Sequence, residues 1–80
     1  MTKRDEGYKI SDLSLAAFLK VKGFKLARID RGADGKGVFV FEDRPGRAEL
    51  VLKFINREEL VEPIAFLAEQ RYLKGMTRLS

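Results

Sequence analysis

The sequence predicts an α+β domain with its elements in the order β-α-β-β-α-α. Three observations carry that prediction. Two β-prone runs, 24–31 and 38–42, flank a glycine-rich turn containing Asp34-Gly35. A run of good helix formers, 12–22, lies between a capping residue and Gly23. After the second run come two helix starts, one at Asp43 with Pro45 and one at Pro63.

Taken in order, Met1–Gly7 is charged and aperiodic and reads as a disordered tail, with a single domain over 8–80. Tyr8-Lys9-Ile10 alternates and reads as an edge strand. Ser11 or Asp12 can accept from the free N–H groups of a first helical turn. Leu13, Ala16, Ala17 and Lys20 mark one face of the helix that follows, and Leu15, Phe18 and Leu19 mark another. Such a helix is apolar around most of its girth and belongs in the interior.

In the next strand, Phe24 and Leu26 share a face while Ile29 has the opposite parity. Either the strand bulges near Ala27-Arg28 or both of its faces have apolar cover. Val38-Phe39-Val40-Phe41 is continuously apolar, so both its faces are covered or the second awaits a partner. A small, mainly antiparallel sheet built on the 24–31/38–42 hairpin is expected, with helices at 12–22, about 45–55 and about 63–75 packed mainly on one face.

In the second helix, Leu50, Val51, Phe54 and Ile55 form the inner stripe. In the third, Val61, Ile64, Ala65, Ala68, Tyr72, Met76 and Leu79 fall together at about 100° per residue. Phe66 and Leu73 fall on nearly the opposite side. The expected core is Leu13, Ala17, Leu26, Val40, Leu50, Phe54, Ile64, Ala68 and Tyr72, with Phe18, Phe39 and Phe41.

Composition excludes many chemistries. The 80 residues contain no Cys, His or Trp. Disulfides, thiolate and imidazole metal sites, and Ser-His-Asp or Cys-His units are impossible. A domain this short buries only about 60–65% of its unfolded surface, and its stability is on the order of 5 kcal/mol. The turn at Gly32–Gly37 is not a phosphate loop, since Val38 stands where Lys is needed. It is not an EF-hand, since Phe41 stands where the bidentate Glu belongs. The adjacent carboxylates Asp5-Glu6, Glu42-Asp43 and Glu58-Glu59 diverge rather than converge on a substrate. No enzyme activity, cofactor or metal is expected. No apolar run reaches the ~18 residues of a membrane span, so a soluble cytoplasmic protein is expected.

Charge is unevenly placed. Residues 1–40 hold nine basic and five acidic side chains, whereas residues 41–80 hold seven of each. The net charge of +4 is already present within 20–36, through Lys20, Lys22, Lys25, Arg28, Arg31 and Lys36 against Asp30 and Asp34. This end is the candidate for contact with the phosphates of DNA or RNA. A solvated basic face is the competing explanation, because Lys20 and Lys22 also suit a helix C-terminus. The Phe66 and Leu73 ridge is the candidate interface for another protein or a second copy of the chain, with packing against the first helix as its alternative.

The stretches Tyr8–Leu19, Lys22–Leu26, Val38–Asp43 and Glu49–Phe54 resemble a family of small uncharacterised domains from bacteria and their phages. The resemblance implies a compact α+β module, often carried on mobile elements, with no assigned activity. It transfers no site residues. The expectation is therefore a small non-enzymatic binding module.

Overall fold

The computed structural model describes residues 7–32 and 35–79. The proposed tail, apart from Gly7, and Ala33-Asp34 of the turn lie outside them. The described elements are β1 (Tyr8–Ile10), α1 (Leu13–Val21), β2 (Leu26–Arg31), β3 (Gly37–Phe41), α2 (Arg47–Ile55) and α3 (Pro63–Leu79). This is the expected β-α-β-β-α-α order.

The strands form one antiparallel sheet ordered β1-β3-β2. The apolar run Val38–Phe41 thus becomes the central strand. Its Phe39 pairs with Ile10 and Ile29, and its Phe41 with Tyr8 and Leu26. Those six side chains share one face, because residues directly opposite in an antiparallel pair point the same way. The register shifts between Leu26 and Arg28. The parity break in β2 is therefore a bulge, and it returns Ile29 to the face of Leu26. Lys9, Arg28, Asp30, Val38 and Val40 point to the other side.

α1 is the central helix of the core, and both α2 and α3 contact it. Asp12 is its N-cap: the carboxylate accepts from the N–H groups of Ser14 (2.8 Å) and Leu15 (3.2 Å). Its other end closes on Gly23 at φ +93°, with Gly23 N–H donating to the Lys20 carbonyl and Phe24 N–H to that of Leu19. This pattern satisfies the last carbonyls and delivers Phe24 to the interior beside Leu19. Ala16, Ala17, Phe18 and Leu19 are all buried, as an all-round apolar helix requires. They join Phe24, Phe39, Phe41, Val51 and Leu73 in one cluster, with Leu13, Leu26, Leu50, Phe54 and Phe66 packed at its margin. Phe18 and Phe54 stack at 4.3 Å between ring centroids.

Two expectations need correction. α2 starts at Arg47, on Gly46 at φ +89°, and Asp43 does not cap it. The Asp43 carboxylate instead accepts from Arg44 N–H (2.9 Å) and from the Arg47 guanidinium (3.0 and 3.1 Å). The second correction concerns the face of α3. Ile64, Ala68 and Tyr72 were expected in the core and are exposed. The buried face is the one carrying Leu73, with Phe66 half-buried beside it. Stripe counting favoured the side with more apolar residues. Packing instead uses the side with Phe66 and Leu73, which is the one that faces α1 and the core cluster. Phe66 and Leu73 therefore serve the core, and α3 meets α1 through them and through a Gln70–Ser14 side-chain hydrogen bond of 3.2 Å. The helix is also longer than expected, reaching Leu79, and starts on Glu62, whose carboxylate accepts from Ile64 and Ala65 N–H.

Candidate nucleic-acid interface

The six cations of residues 20–36 do not form one patch. Three of them, Lys20, Lys25 and Arg28, line a groove of about 380 Å³ between β2 and α3. Leu26, Ile29, Tyr72 and Met76 supply its apolar wall, and Ala27 completes it. The bulge matters here, because it puts Ile29 with Leu26 on the groove side, while Arg28 springs from the opposite face of the strand and lines the groove at its edge. Tyr72 is 54% exposed, and Lys20 Nζ lies 5.8 Å from its ring centroid.

Arg31 and Lys36 belong to a different depression, near the hairpin turn, which they line with Lys74 and Thr77. Tyr72 and Met76 project from one side of α3, and Lys74 and Thr77 from the other, so the helix separates the two cationic sites. Arg31 also donates to the Gly35 carbonyl at 2.9 Å.

Lys22 is removed from the predicted set by its partners. Its Nζ donates to Glu59 Oε2 at 2.9 Å and to the Leu60 carbonyl at 3.2 Å, pinning the α2–α3 connection to the end of α1. The hydrogen bond from Lys22 holds the Glu59 carboxyl below its ordinary range, outweighing desolvation, with the charges of Lys22 and Lys53 adding to the lowering. Nothing in a sequence scan links Lys22 to an acid 37 residues away. Two arginines outside the predicted set are similarly tied. Arg44 sits 3.9 Å over the Phe24 ring and donates to the Lys22 and Gly23 carbonyls at the end of α1. Arg47 sits 3.8 Å over Tyr8 and grips Asp43. The Arg47 hydrogen bond holds the Asp43 carboxyl below its ordinary range, and the Asp43 hydrogen bond raises Arg47 in turn.

Among the described residues, no carboxylate pairs with Lys20 or Lys25. Arg28 Nε is held by Asp30 at 2.9 Å, in an exposed pair of small energetic weight. The groove thus carries three cations, one of them paired with Asp30, and an aromatic ring, with no carboxylate among its lining residues. Glu69 lines the adjoining depression together with Lys20, Ala68 and Tyr72.

A family model for DUF5659, a domain of unknown function, matches residues 5–79. The chain belongs to that family. No curated protein and no solved structure matches it. The DUF5659 match spans every described element, so the groove and the tied-down arginines all lie within the domain. Among the described residues of this DUF5659 domain, no helix is long and apolar enough to cross a membrane, and no three acids gather to hold a metal ion.

Proposed function

We propose that this DUF5659 domain is a small non-enzymatic binding module that contacts nucleic-acid phosphates through the β2–α3 groove. The observation behind this reading is that Lys20 and Lys25, which no carboxylate pairs, line one concavity with Arg28 at its edge, and that no carboxylate is among the lining residues. Cations that are neither buried nor committed to a strong internal partner keep their attraction for a polyanion. The resemblance to bacterial and phage domains leans the same way, since mobile elements are copied and regulated through nucleic acid. The cytoplasm of a bacterium, whether the gene is its own or a phage's, is the setting this reading implies.

The test is binding to labelled DNA and RNA oligonucleotides at ~50 mM salt, followed through a salt titration. Three phosphate contacts on a single strand correspond to a slope of log affinity against log salt of about −2. Lys25→Glu with Arg28→Glu weakens binding and flattens that slope. No detectable binding of any oligonucleotide at low salt defeats the reading.

A second reading has its own observation. Leu60 is 87% exposed, Ile64 76% and Leu67 50%, at the start of α3 and just before it. Exposed apolar side chains so close in sequence fit contact with another protein or a second copy of the chain. This site replaces the one expected at Phe66 and Leu73. Sedimentation of the intact chain separates a monomer from a dimer.

A further inference from the structure

Resting on the nucleic-acid reading above, we propose that the β2–α3 groove selects single strands, with one base stacked on Tyr72 and the flanking phosphates on Lys20, Lys25 and Arg28. Charge alone does not distinguish a single strand from a duplex. The walls of this groove do. A duplex hides its bases in the stack and offers a protein its backbone and groove edges, so it needs cations on an open surface. Here the cations edge a concavity whose interior is apolar, built from Leu26, Ile29 and Met76. That interior is of no use to a phosphate backbone. It suits the flat face of an unpaired base.

Tyr72 completes the case. It stands half-exposed at the groove rather than in the core where its helical stripe would place it. Lys20 Nζ lies over one face of the half-exposed ring, 5.8 Å from its centroid, so a base would stack on the ring from the opposite face, or displace the ammonium group, while that cation meets the adjoining phosphate. Stacking of this kind tolerates sequence, because every base has a π face.

The experiment uses the full chain carrying Tyr8→Phe. Tyr72 is then the only tyrosine in a chain that has no tryptophan, so the intrinsic emission reports on it alone. Oligothymidylate is expected to quench that emission and to bind more tightly than a duplex of equal length. Tyr72→Ala is expected to lower oligothymidylate affinity about tenfold or more, with Tyr72→Phe restoring it. Duplex binding as tight as single-strand binding, without quenching and without a Tyr72→Ala effect, overturns the stacking proposal and leaves phosphate contact standing. Failure of both oligonucleotides to bind at low salt overturns the two together. Should Tyr72→Ala lower the melting temperature, the quenching in the Tyr8→Phe chain still decides, because it needs no change at Tyr72.

Discussion

Leu73 and Ile64 belong to the same helix and carry side chains of the same size, yet one is fully buried and the other is 76% exposed. The two sides of α3 differ less in apolar content than in what they face. One side meets α1, whose Ala16 and Ala17 leave room for a large neighbour; both share the buried cluster with Leu73. The other side, with Ile64, Leu67, Ala68 and Tyr72, meets solvent and the cations of the groove. The difference teaches that an amphipathic pattern reports how much apolar surface a helix has, while the partner's relief decides which part of it is used.

The largest test of that contrast is Leu73→Ala. Removing a fully buried leucine costs about 2–5 kcal/mol, the transfer term plus the cavity left behind. In a domain whose whole stability is on the order of 5 kcal/mol, most of the folded population is then at risk. Urea denaturation followed by far-UV circular dichroism measures it. A loss below about 1 kcal/mol would mean that α3 docks through a different face.

A second test probes the same buried side where it reaches the hairpin. A Cβ added at Gly37 would lie 2.8 Å from Thr77 Cγ2 and 3.4 Å from Thr77 Cβ. Gly37→Ala therefore pushes α3 away from β3. Overpacking of this kind costs about 1–3 kcal/mol, and a Thr77→Ala background is expected to recover part of it. Thermal melts of the single and double variants supply both numbers.

The same contrast explains how much was readable beforehand. The hairpin, the Asp12 cap, the closing turn at Gly23 and the buried α1 depend on neighbours in sequence, and all four were legible. The bulge was visible as a parity break between Leu26 and Ile29, though only pairing to β3 decided it. The face of α3 was not legible, because it depends on packing against α1, about fifty residues upstream in the chain. The basic site was half legible for the same reason. Local charge counting found Lys20, Lys25 and Arg28. It could not see that Glu59 would take Lys22, or that Arg28 and Arg31 would line different depressions. Tyr72 was assigned to the core, and its place at the groove follows from the same error of helical phase.

On the open side of α3 the expected effects shrink and one changes sign. Gly75 is exposed in the helix, and a Cβ there would meet nothing within 4 Å. Gly75→Ala should stabilise the domain by about 0.5–1 kcal/mol, through lost freedom of the unfolded chain. A raised urea midpoint at unchanged slope is the expected result. A lowered midpoint would mean that something seats against that side of α3.

The smallest effect is expected at Ile64. Ile64→Ser changes a side chain that is three-quarters exposed, so the stability of a monomer should stay within about 0.5 kcal/mol of the parent. The measurement that gives this value its meaning is concentration dependence. If the parent chain sediments as a monomer and its melting temperature ignores concentration, a null effect confirms that the open side of α3 does no packing. If the parent self-associates, melting rises with concentration, because the assembly binds only the folded state. Ile64→Ser should then abolish that rise and leave a monomer, whereas Lys25→Glu in the neighbouring groove should not. That pairing separates the apolar start of α3 from the cationic groove beside its C-terminal half, and shows whether one helix presents two independent surfaces or a single continuous one.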